Sequence, residues 1–189
     1  MNKIIGVDID AVLTDEGTGT DNIWHQKICN YFNLEERKEQ VYDFRDAYGL
    51  TLEEIEEFMA TEGRKIFANV SPLTEAKEVL ADLQQQGCTI ILVTARAKEH
   101  NQVTLDWLDE HQIPFDKLIH SEEKANICQA EGIELFIDDR VSNLLPIKEL
   151  GIPVLLMDMD HNQSFKGPIP RVHNWQEIKE QLEQILKGA

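Results

Sequence analysis

The chain has 189 residues, of which 42% are hydrophobic and 28% charged, and this composition is typical of a globular protein with a sizeable core. Eighteen lysines and arginines against 35 acidic residues give a net charge of −17, the wrong sign for a protein that binds a nucleic-acid polymer. No apolar run approaches the ~18 residues that span a bilayer, and the N-terminus lacks the pattern of a secretory signal. We therefore expect a cytoplasmic protein with no nucleic-acid polymer and no membrane as a partner.

The first predicted element is a short strand over residues 3–8, an apolar run that ends in acids. The pattern then becomes helical, over about residues 21–33 and about 51–62. The second helix is opened by a capping box that runs from Thr51 to Glu54. A helical stretch directly after the first strand indicates an insertion over the edge of a sheet.

We therefore divide the chain into two units. Residues 1–16 and 71–189 are predicted to form the core domain, and residues 17–70 a small helical cap. The cap holds eight of the 13 aromatic residues, together with Arg45, Arg64 and Lys65. These aromatics either form the cap's own core or, for one or two of them, face the site and stack on a nucleobase.

Strand and helix patterns alternate from residue 70 to the end. The first helix is expected between an N-cap at Thr74 and a stop at Gly87, with apolar residues at helical spacing: Ala76, Val79, Leu80 and Leu83. Further strands are expected at 89–93, 117–119, 134–137 and 153–157. Further helices are expected at about 98–111, 121–132 and 141–150, and after a capping box that spans 174–177. Because the strands are apolar on both faces, the pattern predicts an α/β fold with a doubly wound parallel sheet.

The polar residues that end each strand decide the chemistry, since ligands of such sheets bind beyond the carboxyl ends of the strands. The first strand ends in Asp8 and Asp10, which a period of two places on the same side. Two buried acids repel each other and lose hydration, which costs several kcal/mol unless a cation or hydrogen bonds compensate. One Asp alone is explained as the start of a turn, whereas the pair indicates a functional site.

A second acidic pair, Asp138 and Asp139, follows another apolar strand. Carboxylates of this kind are the hard oxygen ligands that magnesium prefers, although two acids can also simply begin a loop. A protein with a net charge of −17 repels a free phosphate ester, so a divalent cation is expected between the two. The pattern therefore predicts Mg²⁺ as a cofactor.

Two further positions are suited to a phosphoryl group. Thr94 and Ala95 follow the strand at 89–93 and present a hydroxyl and a backbone N–H. Lys124 lies in the first turn of its helix, where a lysine opposes the helix dipole. For Lys124, a functional role and a solvated surface position both remain open at this point.

Taken in order, Asp8–Thr14, Thr94, Lys124 and Asp138–Asp139 resemble the four motifs of the haloacid dehalogenase superfamily, over residues 3 to about 157. The resemblance implies that Asp8 attacks phosphorus and forms an aspartyl phosphate, while Asp10 acts as general acid and base. It also implies that Thr94, Ala95 and Lys124 hold the phosphoryl group. Magnesium would be bound by Asp8, Asp138, Asp139 and the backbone carbonyl of Asp10.

Ala11 departs from this resemblance, since the superfamily usually has glycine there, and the departure affects the turn beside the nucleophile. The cap together with residues 93–96 and 136–140 is most similar to the 5'(3')-deoxyribonucleotidase and bacterial nucleotidase branch. This similarity implies a small phosphate monoester substrate, either a (deoxy)nucleoside monophosphate or a sugar phosphate. A receiver-like signalling domain or a non-catalytic sensor would carry a similar set of residues, and the sequence does not indicate an oligomeric state.

Overall fold

The computed structural model describes residues 3–187, with side chains up to residue 185. Its strands are β1 (Ile4–Val7), β2 (Thr14–Asp15), β3 (Ser71–Pro72), β4 (Thr89–Thr94), β5 (Lys117–His120), β6 (Leu135–Asp138), β7 (Val154–Met157) and β8 (Arg171–Val172). Its α-helices are α1 (Ile23–Phe32), α2 (Phe44–Tyr48), α3 (Leu52–Phe58), α4 (Arg64–Asn69), α5 (Ala76–Gln85), α6 (Asn101–Glu110), α7 (Lys124–Glu131), α8 (Val141–Glu149) and α9 (Trp175–Lys187). Within residues 3–187, no helix is long and apolar enough to cross a membrane.

Six strands form one parallel sheet in the order β5-β4-β1-β6-β7-β8. The central strand β1 pairs with β4 on one side and β6 on the other, with Val7 opposite both Leu92 and Ile137. The residues that follow these three strands therefore meet at one edge of the sheet. This topology confirms the predicted doubly wound α/β fold.

Helices cover both faces of the sheet. One face carries a core that includes Leu80 of α5 and Trp175 of α9, and the other includes Leu144 of α8. The fully buried Trp175 donates a hydrogen bond from Nε1 to the carbonyl oxygen of Val12 at 2.7 Å. A residue of the last helix thereby anchors the turn that follows β1.

Helices α1 to α4 lie between β2 and β3, which pair as a short antiparallel ladder. Their apolar side chains form a third core that Val103 of α6 also joins. A π-helical turn over Met59–Gly63 links α3 to α4, so the helix expected at 51–62 continues as far as Asn69. The capping box at Thr51 and Glu54 is confirmed.

Some predicted helix starts differ from the observed ones. Thr74 is not the N-cap of α5, because the chain enters that helix through Glu75 in a left-handed conformation with φ 68° and no side-chain cap. The helix expected from residue 121 begins at Lys124, since the Ser121 hydroxyl forms a turn with the N–H of Glu123 before it. The strands β2, β3 and β8 have only two residues each, too few for a periodic signal.

Candidate active site

The turn after β1 wraps around a single carbonyl group. The N–H groups of Leu13 and Thr14 donate to the oxygen of Ile9 at 2.8 and 3.1 Å. Ala11 has a left-handed conformation with φ 60°, and its N–H donates to the Thr14 hydroxyl at 2.8 Å. A left-handed conformation costs a residue with a Cβ about 1–2 kcal/mol, which explains in physical terms why glycine suits this position and shows that alanine preserves the turn.

Three buried carboxylates converge at the carboxyl edge of β1 and β6. Asp8, Asp138 and Asp139 each offer an oxygen, and these atoms all lie within 4.8 Å of one another. The three residues are exposed by only 4%, 0% and 3%. Such a cluster of buried oxygen donors fits a hard divalent cation such as Mg²⁺.

Lys124 lies among these acids. Its Nζ is 2.7 Å from Asp8 Oδ1 and 2.7 Å from Asp138 Oδ2, and the side chain is 1% exposed. The ammonium thus forms ion pairs with both carboxylates, and the contact with Asp138 is also a hydrogen bond. Of the two roles left open by the sequence, the surface position of Lys124 is therefore wrong.

The acids of this cluster outnumber the ammonium group that lies among them. Burial raises the pKa of Asp8 well above its ordinary value, although Lys124 opposes the shift, and the carboxylates of Asp138, Asp139 and Asp10 raise it further. Burial alone would lower the pKa of Lys124, but the carboxylates of Asp138 and Asp8 outweigh it and raise that pKa. One ammonium group thus lies among several buried acids, and burial destabilises the carboxylate form of Asp8.

Asp138 is held by the start of α8. The backbone N–H of Arg140 donates to its Oδ1 at 2.7 Å, and the Asn143 amide donates to both of its oxygens at 3.2 and 3.0 Å. These donors fix the carboxylate in orientation. Asn143 was not predicted from the sequence, because an asparagine inside a helix has no signal of its own.

Asp139 contacts the loop that follows β7. His161 Nε2 lies 3.1 Å from Asp139 Oδ2. Burial raises the pKa of Asp139, although the nearby His161 opposes the shift. Burial alone would lower the pKa of His161, but its contacts with Asp139 outweigh this effect and raise it. The segment at 158–170, between β7 and β8, therefore contributes a residue to the site.

The Asp10 carboxylate does not join the acidic cluster. It is bound by Arg96, whose Nη2 and Nε lie 2.6 Å and 3.1 Å from Asp10 Oδ1, with Nε also 3.0 Å from Oδ2. The Arg96 side chain is 1% exposed, donates to the Thr104 hydroxyl at 3.2 Å and lies 4.0 Å from the ring centroid of Phe67. The sequence placed Arg96 beside Thr94 but indicated no role for it.

Thr94 and Ala95 lie at the end of β4, next to β1 in the sheet. Thr94 is fully buried and Ala95 is half-buried. The Thr94 hydroxyl accepts a hydrogen bond from the N–H of Arg96 at 3.1 Å. Within residues 3–187 no hydrogen bond joins the Thr94 side chain to Asp8, Asp138 or Asp139, so its part in phosphate binding stays a prediction.

Seven of the eight cap aromatics pack in the cap's own core: Trp24, Tyr31, Phe32, Phe44, Tyr48, Phe58 and Phe67. Two of the three basic residues among them have local partners, since Arg45 pairs with Asp43 and Lys65 with Glu62. The eighth aromatic, Tyr42, faces the acids. Burial raises the pKa of its hydroxyl well above the ordinary value despite the nearby Arg140, and the carboxylates of the site raise it further.

Solved structures share this architecture. A haloacid dehalogenase-like hydrolase from Streptococcus pneumoniae superposes with a TM-score of 0.68 at 16% identity, covering 96% of this chain and 98% of that one. A hydrolase of the same superfamily from Geobacter sulfurreducens gives 0.61 at 17% identity, covering 96% of both chains. The fold is therefore that of the haloacid dehalogenase superfamily, as the motifs indicated.

The family follows from the sequence match. The model of the family described as "5' nucleotidase, deoxy (Pyrimidine), cytosolic type C protein" matches residues 2–187, and the chain belongs to this family. A nucleotidase from Clostridium acetobutylicum is 29% identical over 191 residues, which cover 98% of this chain and 96% of that protein. The chain is thus a phosphomonoester hydrolase that acts on a small phosphate monoester, which confirms the enzyme interpretation over a receiver or sensor domain.

Proposed function

We propose that this nucleotidase depends on Mg²⁺ and hydrolyses (deoxy)nucleoside 5'-monophosphates through an aspartyl phosphate on Asp8. The observation that carries the proposal is the convergence of Asp8, Asp138 and Asp139 around Lys124 at the carboxyl edge of the sheet. Acids that share one buried ammonium need a further positive charge. A bound metal ion would supply that charge, and the negatively charged phosphate of a substrate would bind to the metal ion.

Asp8, Asp138 and Asp139 would hold the metal, with the backbone carbonyl of Asp10 as a further ligand. Asp8 Oδ1 supports this assignment, because within residues 3–187 this buried oxygen has the Lys124 ammonium at 2.7 Å as its close partner and can accept a further cation. When bound, Mg²⁺ would neutralise charge on the phosphoryl oxygens and orient the group. Asp138 is already fixed by Arg140 and Asn143, so this side of the site is preorganised.

Asp8 would then attack phosphorus with a carboxylate oxygen, and the bond from phosphorus to the leaving oxygen would break. Asp10 would give its proton to that oxygen, and in the second half would take a proton from the water that attacks the aspartyl phosphate. Lys124 would hold Asp8 in line for attack. Thr94 and the N–H of Ala95 would donate to the phosphoryl oxygens.

The test compares nucleotides with other phosphate esters. With Mg²⁺ present, we expect steady release of phosphate from deoxynucleoside monophosphates, with a higher kcat/KM than for hexose phosphates. Asp8→Asn should abolish turnover, since it removes the nucleophile but keeps the size of the side chain. Asp109→Asn, the same change at an exposed position on α6, is the matched control and should leave turnover unchanged.

Two outcomes would contradict the proposal in different ways. If the Asp8→Asn variant stays folded and keeps more than a few per cent of wild-type turnover, the covalent step through Asp8 is refuted. If kcat/KM for hexose phosphates equals that for nucleotides, the protein is still a phosphate ester hydrolase, but the proposed preference for nucleotides is refuted.

A further inference from the structure

A cavity of about 450 Å³ opens beside the acidic cluster. It is lined by Tyr42 of the cap, by the start of α8 and by the loop after β7 that contains His161. Its volume lies within the ~300–1,000 Å³ that is usual for small-molecule sites. Because Arg140 in its wall directly follows Asp139, the cavity adjoins the proposed metal site.

The guanidinium of Arg140 lacks the carboxylate partner that four of the other five arginines have, and the fifth, Arg64, is exposed on the surface. Arg37, Arg45, Arg96 and Arg171 each pair with a carboxylate. The side chain of Arg140 has no hydrogen bond and no ion pair within residues 3–187, and its Nε is buried without a partner. An unmade hydrogen bond of this kind costs about 1–3 kcal/mol, so the free donors favour a ligand that supplies acceptors.

One face of the Tyr42 ring in the cavity wall is covered. The Arg140 guanidinium carbon lies 3.8 Å from the centroid of the ring, and His161 meets the same ring in a T-shaped contact at 5.3 Å. The Tyr42 residue is still 47% exposed. Beside this ring the cavity offers a guanidinium group and the hydroxyls of Ser142 and Ser164.

The start of α8 adds to this positive character. Val141 and Ser142, its first two residues, line the cavity, and no side chain caps the helix. The N–H groups in the first turn of a nine-residue helix carry a partial positive charge that favours anions. The guanidinium and the N–H groups of Val141 and Ser142 thus favour the same ligand chemistry, and the Asp138 carboxylate accepts the N–H of Arg140 that precedes them.

We propose that this cavity binds a second phosphoryl group, next to the phosphate that Asp8 attacks. The proposal rests on the proposed function, because that function places the first phosphate at the acidic cluster. The second group has two sources: the 3'-phosphate of a nucleoside 3',5'-bisphosphate, or a separate phosphate anion. Arg140 is the specificity-determining residue in both cases.

The first arm of the test is kinetic. It compares kcat/KM for deoxyadenosine 5'-monophosphate and deoxyadenosine 3',5'-bisphosphate in the wild type and in Arg140→Met. A charge-assisted hydrogen bond to the second phosphate predicts a preference for the bisphosphate of about 10- to 100-fold, and Arg140→Met should remove it. Lys166→Met removes an exposed positive charge from the same loop and should keep the preference.

A second variant guards against misfolding. Ser164→Asp places a negative charge at an exposed position on the rim of the cavity, so the fold is not disturbed. It should likewise remove the preference for the bisphosphate, by repulsion instead of by loss of a donor. An unchanged preference in both Arg140→Met and Ser164→Asp would overturn the assignment to this cavity.

The second arm needs no turnover. Equilibrium dialysis with inorganic phosphate and Mg²⁺ should give two phosphates per chain for the wild type and one for each of the two variants. If the second phosphate binds but the bisphosphate is not preferred, the ligand is a separate anion. One phosphate per chain in the wild type as well as in the variants, with equal wild-type kcat/KM for the two nucleotides, would overturn the proposal. Failure to hydrolyse any nucleotide, with two phosphates still bound, would instead refute the proposed function.

Discussion

Replacement of Arg96 with methionine should slow the enzyme mainly through Asp10. The guanidinium contacts both oxygens of Asp10 at 2.6 to 3.1 Å, and it is the group that holds this carboxylate away from the acidic cluster. A general acid and base contributes about 10²–10⁴ in rate, and a displacement of about 1 Å costs about 10². We therefore expect Arg96→Met to lower kcat about 100-fold with a smaller change in KM.

The same variant should be less stable. Removing one partner of a buried ion pair costs about 3–5 kcal/mol, and the loss of the contact with Phe67 adds to this. Because 28% of the Asp10 side chain is exposed and can be rehydrated, we expect the lower end, about 3 kcal/mol by urea unfolding. Arg96→Lys keeps the charge but not the planar fork, and should recover more stability than turnover.

A double-mutant cycle separates positioning from a general structural effect. If Arg96 acts through Asp10, then Arg96→Met should have little further effect on kcat in an Asp10→Asn background. Arg45→Met, which breaks an exposed pair with Asp43 in the cap, is the control and should change neither kcat nor the cycle. A loss of kcat that is as large with Asn at position 10 as with Asp would refute the reasoning.

Three further predictions concern the metal and the turn beside the nucleophile. Asp10→Asn should slow turnover by about 10²–10⁴ yet retain Mg²⁺ affinity in calorimetry, and loss of affinity with normal turnover would reverse its role. A chelator should stop turnover, and Mg²⁺ should restore it better than Ca²⁺, whose larger coordination shell misplaces the phosphoryl group; full activity in excess chelator would exclude a metal. Ala11→Gly should raise the free energy of unfolding by about 0.5–1 kcal/mol, because relief of the left-handed conformation exceeds the added chain entropy. The control Ala47→Gly in α2 should lower it by about 1 kcal/mol, and a fall for Ala11→Gly as well would show that the turn is unstrained.

The centre of the site was predictable because strand ends are a long-range signal. Apolar runs locate the strands, and parallel strands bring their carboxyl ends to one edge. The positions of the strand ends alone predict that Asp8 lies near Asp138 and Asp139, which the structure brings within 4.8 Å of one another. The position of Lys124 was harder to predict, because its place at the start of a helix does not indicate which acid its side chain contacts.

The supporting residues were not predictable for a different reason. Arg96 and Asp10 are 86 positions apart, and only the pairing of β1 with β4 makes them neighbours. His161 comes from a segment whose composition indicates no more than a loop, yet it lies 3.1 Å from Asp139. Contacts of this type depend on side-chain directions, which hydrophobic periodicity does not encode.

Two of the cap aromatics pack against arginine side chains, a role that the sequence alone did not distinguish from stacking on a nucleobase. Phe67 lies 4.0 Å from the Arg96 guanidinium, and Tyr42 lies 3.8 Å from that of Arg140. Each of these arginines stands beside an acid of the site, Arg96 through its side chain and Arg140 through its neighbour Asp139. Besides the packing of Val103 in the third core, residues 17–70 thus meet the rest of the chain through two cation–π contacts, each next to an acid.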